Sequence, residues 1–383
     1  MFYQKYWIVY FITMFEILLI AAAGIYSVLS LLLTIGLMKK SQIRSNYEPR
    51  VSIVIPARNE EGNIERCLSS LEELEYPRDK LEIVVVDDHS DDNTASIVQS
   101  FSKRNPIISL VSLSGGNPAE RDESGKIASL ARGYHFSSGE IVLQTDADCV
   151  VPPRWIRSMV SRFEDGVGIV GGMTILDMFH RINTCFTQMQ SLDWMYLLGV
   201  GAGASGIDIP LSCFGNNLSV RRAAYEGIGG YDSIPFTFTE DFALFQAITR
   251  SGWNAAYSLE EDSLIRSLPP KTFRAFLNQR LRWAFGGIKS AGTGLVFLAS
   301  AFLLHILVII SIVFSVSPLY WTAALCITIV FDFIFLYILV KKVNMIKLLL
   351  YFPLLELYYY LYTTIFGLLM PFISSLSWKG RKY

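Results

Sequence analysis

The sequence predicts an α/β protein in which a mostly parallel, Rossmann-like sheet is joined to α-helical transmembrane segments. Three observations carry this. From Arg50 onward short β-branched runs alternate with longer amphipathic ones, the strand, helix, strand order that builds a parallel sheet. The 383 residues are 52% hydrophobic, with a mean hydropathy of +0.38, too apolar for one water-soluble globule of ordinary make-up. The run Glu140 to Pro153, EIVLQTDADCVVPP, takes an apolar strand to a tip bearing two carboxylates, Asp146 and Asp148.

Taken in order, residues 1–49 form an anchor whose span covers about 17–38, uncharged and long enough to cross a bilayer. A cleaved signal peptide has a shorter apolar core. Residues 50–268 form the sheet domain. Val51 to Ile55 is its first strand, expected to stop at Pro56, and Glu60 to Leu74 its helix, with Ile64, Leu68 and Leu71 on one face. Leu81 to Val86, Ile107 to Leu113 and Glu140 to Thr145 follow as strands. Met178 to Leu198 reads as an amphipathic helix at the membrane interface. Residues 269–292 read as a second interface helix, and 293–383 as a membrane bundle with segments at about 293–314, 319–340 and 348–378. The last of these, punctuated by Pro353, Gly367 and Pro371, is long for one span and short for two, so a bent or re-entrant segment with a cytoplasmic tail is expected. Lys39, Lys40 and Arg44 after the first span, and Lys341, Lys342 and Lys347 after the third, place the sheet domain in the cytoplasm of a multi-pass membrane protein.

Composition excludes several function classes. A net charge of -1 without a long basic tract gives nucleic acid little to hold. Five scattered cysteines and only four histidines argue against zinc and against a disulfide framework. Gly201, Gly203 and Gly206 spell G-x-G-x-x-G, but they follow an amphipathic run rather than a strand, so a flexible glycine loop is expected there in place of a dinucleotide site.

Three of the four strands end in polar clusters. Ala57, Arg58, Asn59 and Glu60 follow the first, Asp87, Asp88, His89 and Ser90 the second, Asp146 and Asp148 the fourth. In a parallel sheet these ends share one edge, where open α/β folds bind nucleotides. Two carboxylates at i and i+2 repel unless a positive charge lies between them, and hard oxygen ligands on a loop suit Mg2+ or Mn2+ bridging to phosphates. Each cluster alone could be solvated loop chemistry, and their convergence favours the nucleotide reading.

The ordered motifs VSIVIPARNEE, VVVDDHSDDNT, SGKIASLARG, TDAD, TED and QRLRW, from Val51 to Trp283, resemble those of the membrane-bound family 2 glycosyltransferases of GT-A fold. Within that group the chain is similar to ceramide glucosyltransferase and bacterial lipid glycosyltransferases, and more distantly to cellulose and hyaluronan synthases. The resemblance implies a nucleotide-diphosphate sugar donor, with UDP favoured, and a membrane lipid acceptor. It implies that Pro56 to Glu60, Asp87 and Asp88 hold the nucleoside, that Lys126 faces the donor, and that Asp148 with Asp146 holds the cation. Asp241 would be the catalytic base of an inverting transfer, with Glu240 beside it. Gln279, Arg280 and Arg282 would reach the pyrophosphate, and Trp283, with Glu240, Gly215 and Asn216, would lie on the acceptor side. Read from the residues alone, Thr239 to Asp241 is equally a helix N-cap, Arg282 and Trp283 are interfacial anchors, and Phe214 to Asn217 is a turn. Two other functions fit the same layout: a processive polysaccharide synthase, for which a homo-oligomer could enclose a pore, and a nucleotide-sugar-sensing transporter subunit using Glu16, Asp332 and Glu356.

Overall fold

A computed structural model describes residues 2–39, 43–44, 46–113, 125–179, 184–235, 237, 239–289, 292–314, 316, 318–369, 377–378 and 381–382. Its centre is a seven-stranded sheet of order β3-β2-β1-β4-β7-β5-β8. The strands are β1 (Val51–Ala57), β2 (Leu81–Asp87), β3 (Ile108–Ser112), β4 (Ile141–Gln144), β5 (Val167–Gly171), β7 (Leu218–Arg221) and β8 (Asn254–Tyr257), while β6 (Thr174–Leu176) pairs with β9 (Ile265–Ser267) in a small second sheet. β1 to β4 are parallel, and β7 enters antiparallel between β4 and β5.

Alternation along the strands divides the core. Val51, Ile53 and Ile55 of β1 and Ile141 and Leu143 of β4 pack with α2 (Ile64–Glu72), α3 (Thr94–Arg104) and α5 (Trp155–Val160). Val54 and Val142 face the other way, toward α4 (Gly125–Phe136), α7 (Arg222–Gly227) and α8 (Glu240–Arg250). Successive strand residues point to opposite faces, so apolar runs such as VSIVI are buried on both sides. The order reverses at β1, which has β2 on one side and β4 on the other, and the crevice at this switch point is where such sheets bind ligands.

Two expectations change here. Pro56 does not stop β1, which continues to Ala57 in register with Asp87. Pairing with β4 ends at Val54, and Pro56 shares its orientation, so the missing N–H falls where no strand remains to be bonded. The helix after β1 begins at Ile64 rather than Glu60, because Glu60 to Asn63 form a turn tied to the loop after β2. The backbone N–H of Glu60 donates to Thr94 Oγ1 at 2.8 Å and that of Glu61 to Asp92 Oδ2 at 3.1 Å.

The glycine run is likewise no loop. α6 (Cys185–Gly206) is one continuous helix, buried from Met189 to Met195 and again through Gly201 to Ala204, instead of lying on a surface. It crosses α1 (Phe2–Met38) at backbone distance. A methyl added to Gly203 would lie 2.5 Å from the Leu33 carbonyl oxygen, and additions at Gly36 and Gly206 would collide with each other's helix backbone. Glycine costs a helix about 0.8–1.0 kcal/mol per residue relative to alanine, which the close crossing recovers in packing.

Among the described residues three helices are long and apolar enough to cross a membrane, Ile12–Met38, Gly294–Val313 and Pro318–Lys342. The last two lie in α10 (Thr293–Val313) and α11 (Pro318–Lys342), and α9 (Phe273–Lys289) precedes them. The final segment begins as a tight 3-10 run, Ile346–Tyr351, and becomes α12 (Phe352–Leu369); residues 370–376 lie outside the described residues. Asp332, on α11, accepts hydrogen bonds from Tyr26 at 2.7 and 2.8 Å and from Tyr196 at 3.1 Å, so it ties α1, α6 and α11 together. That structural duty accounts for one acid a transport reading would use.

Gly203→Ala and Gly36→Ala should each lower stability by about 1–3 kcal/mol, because their neighbours are backbone and cannot rotate away. Gly24→Ala, with open space around it, should not. Thermal unfolding of the detergent-purified proteins checks this, and equal melting of all three would refute the close crossing.

Candidate active site

The polar tips of β1, β2 and β4 come together as the parallel register requires. After β1, Asn59 takes a left-handed conformation (φ 56°), and its Oδ1 accepts from the Asp91 N–H at 2.8 Å, while Ser90 Oγ accepts from the Asn59 N–H at 2.9 Å. The two loops are thus stitched into one wall. Arg58 reaches to 3.7 Å from Asp88 Oδ2, and Asp87 and Asp88 are both buried.

At the β4 tip Lys126, in the first turn of α4, lies 2.7 Å from Asp146 Oδ1 and 3.3 Å from Glu240 Oε1. Burial works to lower the pKa of Lys126, but Asp146, Glu240 and Asp241 together raise it, so the lysine stays charged. Asp148 Oδ2 accepts from Ser267 Oγ at 3.3 Å. A two-way backbone bridge between Val150 and Arg266, at 2.8 and 3.0 Å, holds β9 against this loop. Burial, with Asp146 and Glu60 adding like charge, pushes the Asp148 carboxyl up to about 6.

Asp241 sits at the second position of α8. Thr239 occupies the N-cap position without a side-chain cap, and Asp241 instead makes bonds across the site. Its Oδ2 accepts from the Gly215 N–H at 2.6 Å and its Oδ1 from the Phe242 N–H at 2.8 Å. Burial, then Glu240, raises its pKa to about 6, against the opposing pull of Lys126. Gly215 is needed at that spot, because a side chain there would meet Asp241 Cβ at 2.8 Å. The segment is pinned to β4: Gln144 Nε2 donates to the Gly215 carbonyl at 3.2 Å and Thr145 Oγ1 to the Asn216 carbonyl at 2.9 Å. Tyr134 and Tyr231 hold Gln144 in turn, donating to its Oε1 at 3.3 and 3.1 Å.

Trp283 of α9 stacks on Phe214 with ring centroids 5.0 Å apart, and Trp194 of α6 completes the cluster at 5.3 Å from each. This aromatic patch adjoins Gly215 in the chain. Arg282 and Gln279 are half-buried on the same helix. Arg280 is placed differently from its neighbours. Its side chain, 1% exposed, is ion-paired with the equally buried Asp193 of α6 and lies over the Trp283 ring at 4.5 Å. Tyr359 of α12 donates to the other Asp193 oxygen at 2.7 Å. Arg280 thus fastens α9 to α6. A single acid inside the apolar run Met189 to Leu198 was the sequence signal for this pair.

The acids suit a hard divalent cation as partial ligands. Asp146, Asp148 and Glu60 bring like charge together at the β4 tip, and the donor set is oxygen. Among the described residues no three His, Cys, Asp or Glu side chains gather to hold a metal alone, so phosphate oxygens would complete the shell. Sulfur is closer than the sequence suggested: the thiol of Cys149 donates to Asp148 Oδ1 at 3.6 Å and that of Cys67 to the Asp146 carbonyl at 3.8 Å. Burial and the adjacent carboxylates push both thiols up, which keeps them protonated and poor metal ligands.

Arg280→Gln should cost about 3–5 kcal/mol by leaving Asp193 buried and unpaired, and the double variant with Asp193→Asn should recover part of the loss. Chemical denaturation of the purified protein measures both. Single variants as stable as wild type would refute the pairing.

The chain is similar to known glycosyltransferases. Residues 15–383 match the family model described as Glycosyl transferase family 21. The chain is 30% identical over 248 residues to "Probable glycosyltransferase YdaM" of Bacillus subtilis, covering 62% of this chain and 55% of that protein. It is 26% identical over 238 residues to the poly-beta-1,6-N-acetyl-D-glucosamine synthase of Staphylococcus epidermidis, covering 62% and 54%. The chain thus spans about half the length of the curated relatives it matches. Among solved structures it is similar to the mannosyltransferase PcManGT of Pyrobaculum calidifontis, in complex with GDP-Man and Mn2+, with a TM-score of 0.57 and 21% identity over 90% of this chain and 99% of that one. That likeness shows a shared GT-A fold. The sequence resemblance pointed to the related family 2 enzymes; by the model that covers it from residue 15 to its end, the chain belongs to glycosyl transferase family 21.

Proposed function

We propose that this chain transfers a sugar from a nucleoside diphosphate sugar, with UDP the favoured nucleotide, to a hydroxyl of a membrane lipid, inverting the anomeric carbon. One observation carries the reading. Lys126 joins Asp146, at the tip where a diphosphate would lie, to Glu240, the neighbour of a carboxylate whose pKa is raised to about 6, so donor and base share one site.

In this reading Asp241 takes the proton of the acceptor hydroxyl as its oxygen attacks the anomeric carbon, and the bond to the nucleoside diphosphate breaks with its electron pair leaving on phosphate. The Gly215 and Phe242 N–H groups aim the carboxylate. Because the leaving group is already a stable anion, no second carboxylate is needed to protonate it. A bound Mg2+ or Mn2+, held by Asp148 and Asp146 with phosphate oxygens, would offset charge on the departing diphosphate. Lys126, Gln279 and Arg282 take the donor side in place of Arg280. Trp283 with Phe214 and Trp194 floors the acceptor side, with Gly215 and Asn216 at its rim. The domain faces the cytoplasm, where nucleotide sugars and the positive flanks of the spans both belong.

The synthase named among the relatives makes a processive polymerase the second reading. A polymer needs a polar lumen through the bilayer. Here Tyr26, Tyr196 and Asp332 satisfy one another between helices, and the outward residues of α1, α10 and α11 are apolar, which suits a lipid acceptor entering from the side.

Incubating the purified chain with a panel of nucleotide sugars and total lipid extract, followed by mass spectrometry, should show one lipid gaining the mass of one sugar. A ladder extending by many sugars would replace this reading with the polymerase. Asp241→Asn should lower kcat by about 10²–10⁴ while UDP binding by calorimetry stays within a few-fold. The raised Asp241 must be ionised to act, so kcat should fall as pH drops through about 6 and be level above it; a flat profile down to pH 5 would contradict the base assignment. Excess EDTA and Asp148→Ala should each suppress turnover, and full activity under either would remove the cation from the proposal.

A further inference from the structure

The tip of β2 carries two hydrogen-bonding atoms with no partner. Asp87 is 6% exposed, and its Oδ1 has no hydrogen-bond partner among the described residues. The same holds for the buried Nε2 of His89, two residues on. A buried polar atom without a partner costs about 1–3 kcal/mol, so two at one strand end mark a place for a ligand.

His89 is firmly held. Its backbone is left-handed, φ 55°, a region few non-glycine residues enter. Its Nδ1 lies 3.1 Å from Asp88 Oδ1. An ionised carboxylate only accepts hydrogen bonds, so Nδ1 carries the proton, and in the neutral ring Nε2 is then a lone-pair acceptor. Arg58 lies 3.7 Å from the other Asp88 oxygen. Asp87 Oδ1 and His89 Nε2 are thus both acceptors. They call for N–H or O–H groups on the ligand and would repel phosphate oxygens, which belong one strand beyond β1, at Lys126 and the β4 tip.

We propose that His89 reads the nucleoside half of the donor, its Nε2 accepting a hydrogen bond from a base N–H or a ribose hydroxyl beside Asp87. The assignment rests on the donor being a nucleoside diphosphate sugar. It gives His89, one of the polar residues after the second strand, a part in deciding which nucleotide enters.

The test is calorimetry on the purified full chain with UDP, GDP and inorganic pyrophosphate, in the presence of Mg2+. His89→Leu should weaken the preferred nucleoside diphosphate by about tenfold or more and leave pyrophosphate unchanged. His89→Gln, which keeps an acceptor near the Nε2 position, should recover most of the loss, showing that the effect is not misfolding. Wild type should also discriminate against an analogue methylated at the base imide or lacking a ribose hydroxyl, and His89→Leu should lose that discrimination; which analogue responds tells base from ribose. Nucleotide binding by His89→Leu equal to wild type, or an equal loss for pyrophosphate, would overturn the assignment to His89 alone. Wild-type binding of neither UDP nor GDP would instead overturn the nucleotide reading on which it rests.

Discussion

The site is organised by an imbalance of charge. Glu60, Asp146, Asp148, Glu240 and Asp241 converge on the edge of one sheet, and Lys126 is the cation that touches the two sides of the group. Carboxylates this close cannot all ionise cheaply in a partly buried place, and the fold responds in two ways. Backbone N–H groups fix Asp241, and two acids take up protons more readily than usual. A site strained in that direction favours ligands that bring positive charge with them, as the metal-bound diphosphate of the proposed reaction would. The sheet supplies the rigidity: β1, β2 and β4 are parallel and in register, so their acids meet whatever the loops between them do.

Most of the sheet and its acidic tips were legible in the sequence because they depend on local signals. A run such as LEIVVVD is a buried strand by its own composition, and a carboxylate at its end can only sit at the sheet's edge. Features that depend on distant partners were not legible. Pro56 reads as a stop until it is known that β4 pairs only as far as Val54. Cys67 and Asp146 are far apart in the chain, and no spacing brings that thiol to the acidic loop. Arg280 stands beside Arg282 and looks equivalent to it, yet one turns into the bundle because Asp193 waits there. The glycine run misled for the same reason, since glycine marks either a turn or a close neighbour and only the position of α1 decides which.

The catalytic and membrane parts are coupled through side chains rather than merely linked by chain. From Arg280 a sequence of contacts runs through Asp193 to Tyr359, from the Tyr359 ring to that of Tyr196, and from there to Asp332 and Tyr26. α9, which carries Gln279, Arg282 and Trp283, is thereby tied through α6 and α12 to α11 and α1, both long and apolar enough to cross a membrane. Movement of the bundle would tilt Trp283 with it, a physical route by which bilayer thickness would reach the site.

The backbone crossing of α1 and α6 also bears on what counts as a domain in this protein. An anchor that served only as a tether could be cut away to leave a soluble enzyme. Here the first helix is one wall of the interior: Leu33 and Leu37 belong to the same apolar core as Met195, Leu198 and Tyr257, and the glycines of α6 have no side chains of their own to close the gap. A truncation beginning at residue 50 would expose a bare groove of peptide backbone along α6, so the smallest unit that closes this core includes the first helix.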